Sequence, residues 1–299
     1  MPRAVTYART GGPEVLQVSD VPLPEPGPGE VRIKVAAASA NLVDSKLRRG
    51  LMPFPQRFPV TPGIDAAGVV EAVGEGAPFA VGDSVFGTGR ATYAESAILT
   101  TAERKPDSVD DLAAAAVATT GETAFRGLAQ TGVQAGGTVV IHGAAGGVGE
   151  LAMQLAVRQG ITVVGTCAPS DFEFVRSLGG TPVAYGEGWV DRVRQVSPEG
   201  VDGVFDTAGA GVLPESVQLT GYARTVVTIA DPHAEQVGVR FSGGNLAERR
   251  FDSYPMLAQL LADGDLTVRV AKTYRLDEVQ AMHEALDRGG NPGKLILVP

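Results

Sequence analysis

Gly143, Gly146 and Gly149 punctuate the stretch Val139-Val140-Ile141-His142-Gly143-Ala144-Ala145-Gly146-Gly147-Val148-Gly149, which passes from an apolar strand pattern into a helical one. A turn in that position gathers backbone N–H groups and the positive end of a helix at one point, which suits a pyrophosphate. Glycine lets the backbone approach such a group closely, and Gly149 lets helix and strand pack tightly. Gly146, Gly147 and Val148 are the expected contacts, ahead of Gly143. The spacing alone is weak, because a chain with 39 glycines in 299 residues offers three at fixed offsets by chance. The strand before and the helix after favour a dinucleotide site over a plain αβ turn.

The next strand pattern ends Val164-Gly165-Thr166-Cys167-Ala168, with no carboxylate. An acidic residue there takes the ribose hydroxyls of NAD. Its absence removes the main repulsion against a 2′-phosphate and favours NADP(H). Attraction is thin, however. Thr166 and Ser170 are the candidate contacts, Asp171 adjoins Ser170, and Arg176 lies one or two helical turns on.

Two textures must position these residues. From residue 4 to about 100 the chain favours short strands, as in Val31-Arg32-Ile33-Lys34-Val35, and Pro22, Pro24, Pro26 and Pro28 make a rigid extended approach. Asn41 to Arg49 is the exception, a helical turn. Beyond Pro106 come an alanine-rich helix, an interruption at Gly121 and a second helix over 122–130. A regular strand–helix alternation then runs from Thr138 to Ile229, the pattern of a parallel sheet covered on both faces. A further strand is expected within 237–241, a long amphipathic helix over 246–261, a strand over 268–270, a helix over 276–286 and a closing strand over 294–298. The last pieces break the rhythm, so the chain is expected to leave its second domain and return to complete the first. The fold class is α/β, a β-rich lobe plus a doubly wound parallel sheet. Such a return places a cleft between lobes.

Acidic residues outnumber basic ones, giving a formal charge of −9. That balance makes neither nucleic acid nor anionic lipid a default partner. One cysteine, Cys167, excludes an internal disulfide framework, and three histidines make a protein-built metal site unpromising. The start lacks an apolar signal-peptide core, and the run Leu112 to Ala118 is too short to span a bilayer. These features point to the cytoplasm.

Several segments together are specific: Pro62-Gly63-Ile64-Asp65-Ala66-Ala67-Gly68-Val69-Val70, Gly82-Asp83-Ser84-Val85, Ala144-Ala145-Gly146-Gly147-Val148-Gly149 and Gly293-Lys294-Leu295-Ile296-Leu297. Over essentially its whole length the chain resembles the zinc-independent, zeta-crystallin-like quinone oxidoreductase branch of the medium-chain dehydrogenase/reductase superfamily. The resemblance implies a GroES-like catalytic domain over 1–118 and 265–299 and a Rossmann NAD(P)-binding domain over 119–264. It also implies a nicotinamide in the cleft and a homodimer formed through the Rossmann edge strand. Zinc-containing alcohol dehydrogenase relatives carry Cys within the segment matching 41–44 and a His-Glu pair where this chain has Asp65-Ala66.

On the same resemblance, Asn41 of Asn41-Leu42-Val43-Asp44-Ser45-Lys46 lies near the nicotinamide, able to donate to a carbonyl or to the cofactor. Asp44 fixes the loop or caps its helix. Lys46 replaces a tyrosine common in quinone reductases and either stabilises negative charge on a substrate oxygen or faces solvent. Thr119 and Thr123 match the nicotinamide side, Ser170 stands at a phosphate-binding lysine position, and Ile229, Gly243 and Asn245 border later strands as cofactor contacts. Arg90, Arg48 and Tyr93 are accessible polar candidates for a substrate pocket built from 41–59, 90–93 and 241–245. The activity implied is metal-free, NADPH-dependent hydride transfer to a quinone, enone or enal, with polar groups stabilising the oxyanion. The alternatives are an enoyl-thioester reductase acting in trans and a crystallin-like or regulatory protein that binds NADPH without turnover.

Overall fold

The chain opens with two short antiparallel strands, β1 (Arg3–Thr6) and β2 (Gln17–Asp20), and continues into β3 (Val31–Ser39), whose alternate residues are buried. This is a computed structural model, and it describes residues 1–52 and 55–299. Helix α1 (Leu42–Arg48) follows, then β4 (Asp65–Val73), β5 (Ser84–Arg90) and β6 (Ser96–Arg104). β3, β4, β5 and β6 pair antiparallel in sequence, and β6 pairs back onto β3, so these four strands close into a barrel. Closure leaves no free edge among them and encloses a core of Val31, Ile33, Val70, Val85 and Leu99.

Helix α2 (Asp111–Thr131) begins in the first compact unit, Met1–Thr119 with Tyr254–Pro299, and ends in the second, Thr120–Ser253. It is continuous through Gly121, where an interruption was expected; the alanines before it have strong helix propensity, and one glycine costs only about 1 kcal/mol.

The second unit alternates β7 (Thr138–His142), α3 (Gly147–Arg158), β8 (Thr162–Cys167), α4 (Phe172–Ser177), β9 (Thr181–Ala184), α5 (Trp189–Val196), β10 (Gly203–Asp206), α6 (Leu213–Thr220), β11 (Val226–Thr228) and β12 (Arg240–Phe241). All six strands are parallel, in the order β12-β11-β10-β7-β8-β9. The strand order reverses at β7, which lies between β10 and β8. Crevices at the carboxyl end of such a switch point are where open α/β sheets bind ligands. The strand expected within 237–241 shrinks to Arg240–Phe241 because residues 234–237 curl into a 3₁₀ turn ended by Gly238 at φ +68°.

The long helix expected over 246–261 is instead two single turns, Leu246–Glu248 and Phe251–Ser253, before α7 (Tyr254–Ala262). Arg249 has extended backbone between the turns, and the Arg250 N–H donates to Glu122 Oε1 rather than to a helical carbonyl. The chain rejoins the first unit at Tyr254, whose ring lies 5.5 Å from Phe86, rather than at 265. β13 (Val270–Arg275), α8 (Val279–Arg288) and β14 (Lys294–Val298) complete that unit; β13 falls later than the strand expected over 268–270. β14 pairs antiparallel with β3, setting Ile296 opposite Ser39. The architecture is thus a GroES-like barrel lobe plus a Rossmann sheet. Among the described residues no helix is long and apolar enough to cross a membrane.

Candidate functional site

The glycine turn follows β7 directly. Gly143 adopts φ +73°, its carbonyl accepts the Gly146 N–H at 2.9 Å, and Ala144 N–H donates to Thr166 O at 3.1 Å, tying the turn to β8. Gly146 is the exposed N-cap of α3. A Cβ on Gly149 would lie 2.1 Å from the Gly143 carbonyl oxygen, so helix and turn pack at a distance only glycine allows. The first N–H groups of a helix lack intrahelical partners. Those of Gly147 and Val148 therefore stand at the carboxyl edge of the sheet beside an open backbone. This cradle fits a pyrophosphate.

The neighbouring loop is fixed from below. Asp206, buried at the end of β10, accepts the Ala208 and Gly209 N–H groups at 3.0 Å each, and Thr228 Oγ1 donates to its other oxygen at 2.7 Å. His142 and Thr166 face one another at 2.9 Å in the sheet, and the His142 ring meets Trp189 edge-on at 4.5 Å. Burial pushes the His142 imidazole down to about 4, so it is neutral and structural. The Thr166 hydroxyl is spent on His142, leaving its carbonyl as its contribution to the turn.

Ser170 is exposed in the turn Pro169–Asp171 beyond β8. Arg176 pairs with Glu173 and lies over the Phe172 ring. Tyr185, 64% exposed just after β9, donates its N–H to Cys167 O at 3.3 Å; this aromatic at the carboxyl edge carries no motif and was not anticipated.

A second group of candidates gathers around Glu122. Its fully buried carboxylate holds Arg126 and Arg249 at 2.7 Å each and accepts the Arg250 N–H at 2.9 Å. Arg126 in turn donates to Ser242 O at 3.1 Å and to the Ser242 hydroxyl. Thr123 is buried inside this set, with Arg126 Nη2 3.4 Å from its hydroxyl. Gly243 and Asn245 are exposed on the loop that it anchors, and Ile229, half-buried, donates its N–H to Asp206 O.

In the first unit Asn41 is the N-cap of α1, and its own N–H goes to Asp44 Oδ2 at 2.9 Å, half of a capping box. Its amide joins distant elements: Nδ2 donates to Asp65 Oδ2 at 2.8 Å and more weakly to Ser39 O at 3.4 Å, while Oδ1 accepts from Lys294 Nζ at 2.7 Å. Asp65 also accepts from Thr119 Oγ1 at 2.6 Å and from Thr119 N–H at 3.3 Å. Tyr93 donates its hydroxyl to Asp44 Oδ2 at 2.9 Å. Asp44, Asp65 and Tyr93 are fully or almost fully buried, Lys294 is buried and Thr119 half-buried. Burial raises the Asp44 carboxyl to about 7 against the pull of its hydrogen bonds, and it raises Asp65 against Lys294 and Thr119.

The structure therefore joins Asn41 and Thr119 through Asp65. Lys46 is not in the network; it is exposed on α1. Arg48 and Tyr93, expected to be accessible, are both fully buried, Arg48 against Asp287 at 2.5 Å, and Arg90 pairs with Glu30. Of the loop 41–59, residues 53 and 54 lie outside the described residues. Asp65 and Lys294 were visible only as parts of family-like segments. Nothing local marks them as partners of Asn41.

Comparison with known proteins agrees with this architecture. Residues 27–105 match the alcohol dehydrogenase GroES-like domain family, and residues 178–297 match the zinc-binding dehydrogenase family. A quinone oxidoreductase of Homo sapiens is 31% identical over 322 residues, covering 99% of this chain and 97% of the relative. One from Pseudomonas aeruginosa is 33% identical with both chains fully covered. A mycobacterial structure complexed with NADPH superposes with a TM-score of 0.85 at 28% identity, again with both chains fully covered. The chain belongs to the quinone oxidoreductase family of the medium-chain dehydrogenase/reductase superfamily.

Proposed function

We propose that the chain is an NADPH-dependent oxidoreductase that reduces a quinone or an α,β-unsaturated carbonyl without a metal. The observation that carries this reading is the glycine cradle between β7 and α3 at the switch point of the parallel sheet. The mycobacterial relative complexed with NADPH and the absence of a carboxylate at the end of β8 support the phosphorylated cofactor.

NADPH supplies the hydride when bound. The N–H groups of Gly147 and Val148, with Gly146, hold the pyrophosphate, and Ser170 meets the 2′-phosphate side. Thr119, Thr123, Ile229, Gly243 and Asn245 serve the rest of the cofactor, Thr123 by supporting the loop rather than through its engaged hydroxyl. Asn41 orders the polar network beneath Thr119. Lys46, exposed at α1, supplies a cation for negative charge developing on the substrate oxygen.

The donor set does not fit a catalytic zinc. Asp65, where zinc relatives carry histidine, already receives Asn41 Nδ2 on one oxygen and the Thr119 hydroxyl on the other. Among the described residues no three His, Cys, Asp or Glu side chains cluster as ligands. The two-residue edge strand β12, with Phe241 49% exposed, supports a homodimer through this edge.

A fluorescence titration of chelator-treated protein with NADPH and NADH in parallel tests the cofactor. NADPH is expected to bind at least about tenfold tighter, a difference of about 1.4 kcal/mol. Turnover on a panel of quinones, enones and acyl thioesters then tests the chemistry. Binding of neither nucleotide, or turnover that returns only when zinc is restored, overturns the reading.

A further inference from the structure

Asp65 and Asp44 are two buried carboxyl groups with one ammonium, Lys294, bonded to the amide between them. Their surroundings differ. Both oxygens of Asp65 receive donors, from Asn41 Nδ2, Thr119 Oγ1 and Thr119 N–H, which is the environment of an ionised carboxylate. Asp44 receives both of its donors on Oδ2, and among the described residues its buried Oδ1 meets no partner. An unpartnered oxygen is far cheaper as part of a neutral acid than as part of an anion. One cation thus supports one buried anion, and the geometry places that anion at Asp65.

The amide direction follows. Lys294 carries only donors, so it fixes Oδ1 of Asn41 as the atom that it meets and turns Nδ2 toward Asp65. An ionised Asp65 is acceptor-only, so the Thr119 hydroxyl must spend its one hydrogen on Asp65 Oδ1. What half-buried Thr119 can then offer a ligand is a pair of oxygen lone pairs.

We propose that Lys294 is a positioning residue that, through Asn41 and Asp65, makes Thr119 a hydrogen-bond acceptor, so that the group recognised there is an N–H donor such as the nicotinamide carboxamide and not a substrate carbonyl. The proposal rests on the NADPH reading above. It reassigns the Asn41 amide: both ends are committed inside the network, so it orients Thr119 and does not itself donate to a carbonyl.

The probe is the 3-acetylpyridine analogue of NADPH, in which a methyl ketone replaces the carboxamide and no N–H remains. Dissociation constants of NADPH and analogue are measured for the wild type, Lys294→Met and Lys294→Arg. The wild type is expected to prefer NADPH by about tenfold, the size of one hydrogen bond assisted by charge. Lys294→Met removes the cation, Asp65 takes up a proton, the Thr119 hydrogen is freed, and the preference is expected to fall to within about twofold. Lys294→Arg is expected to keep it. General damage to the fold weakens both ligands together and leaves the ratio unchanged. Should Lys294→Met not fold, Thr119→Val tests the same acceptor with Lys294 in place, and the same fall is expected. An unchanged ratio in either variant, or no preference in the wild type, overturns the proposal while NADPH binding stands. A wild type that binds no NADPH overturns the cofactor reading and this proposal with it.

Discussion

Arg249 places Nη1 2.7 Å from Glu122 Oε2 across 127 positions of sequence, and this ion pair fastens the loop after β12 to α2 within the second unit. Burial alone raises the Glu122 carboxyl, but Arg126, the Arg250 N–H and Arg249 together outweigh it and hold Glu122 below the usual carboxylate range. Replacing Glu122 leaves the Arg126 guanidinium, 2% exposed, without its counter-charge. Breaking a buried pair from one side costs about 3–5 kcal/mol. Glu122→Gln is therefore expected to lower unfolding free energy by about 3 kcal/mol in urea titrations, and limited proteolysis is expected to cut first within 242–250. A variant as stable and as resistant as the wild type refutes the anchoring role.

Asp44 gives the first unit a pH signature. Its folded carboxyl is raised to about 7 from 3.8, chiefly by burial, so between those values the folded state binds a proton that the unfolded state has released. Stability from this group is full at low pH, falls as pH rises through the window and is level above pH 7. His142 and His283, both lowered to about 4 by burial, act in the opposite sense between pH 4 and 6.5 and mask the trend in the wild type. Asp44→Asn isolates it. The variant's stability advantage is expected to grow from pH 5 to pH 7 by about 1.4 kcal/mol per unit and then remain constant. A difference that does not change with pH contradicts a protonated Asp44.

The two ends of the glycine cradle are expected to respond differently to the same methyl group. At Gly149 it would meet the Gly143 carbonyl oxygen at 2.1 Å, so α3 must move away from β7. At Gly146 the same oxygen is 3.2 Å away and φ is −83°, which alanine accepts. Gly149→Ala should lose at least tenfold in NADPH affinity, about 1.4 kcal/mol, together with thermal stability. Gly146→Ala should retain its melting temperature and lose affinity only. Equal melting temperatures for the two variants are the outcome that sinks this account.

The glycine turn was legible because every part of it is local: strand, turn and helix adjoin within 138–158, and the spacing of apolar residues reports each one. The β-rich lobe and the parallel sheet were legible for the same reason, through alternation and through helices between strands, whereas closure of the lobe into a barrel rests on the distant pairing of β6 with β3. The polar network was not. Asn41 meets Lys294 across 253 positions, and a lysine in an apolar tail gives no sign of where its ammonium goes. Arg48 and Tyr93 misled because their types suggest a surface, whereas Asp287 and Asp44, supplied by the tertiary fold, make burial affordable. The helix over 246–261 failed because a buried carboxylate on another helix competes for the backbone N–H of Arg250.

Lys46 separates chemistry from architecture. It is exposed on α1 and absent from the buried network, so Lys46→Met should fold like the wild type and bind NADPH with the same affinity. If its ammonium meets the developing oxyanion, kcat on quinones and enones falls by about tenfold, 1.4 kcal/mol of transition-state stabilisation, with the NADPH dissociation constant unchanged. Unaltered kcat across the substrate panel assigns Lys46 to the solvated surface.

Cofactor selectivity turns on the exposed turn Pro169–Asp171. Ser170 offers a hydroxyl but no charge, Asp171 beside it is anionic, and the nearest cation downstream, Arg176, is already paired with Glu173. The proposed preference for NADPH thus rests on lack of repulsion, and a cation added there should strengthen it. Ser170 is exposed, so a long side chain enters without displacing the core. Ser170→Lys is expected to raise the ratio of NADPH to NADH affinity by roughly tenfold at low ionic strength, with the gain shrinking as salt screens the contact. The measurement is a pair of fluorescence titrations at 20 and about 300 mM salt, the higher value shortening the screening length to below about 8 Å. A ratio unchanged at low salt would mean that the 2′-phosphate lies elsewhere along the carboxyl edge, with exposed Tyr185 after β9 the next position to substitute.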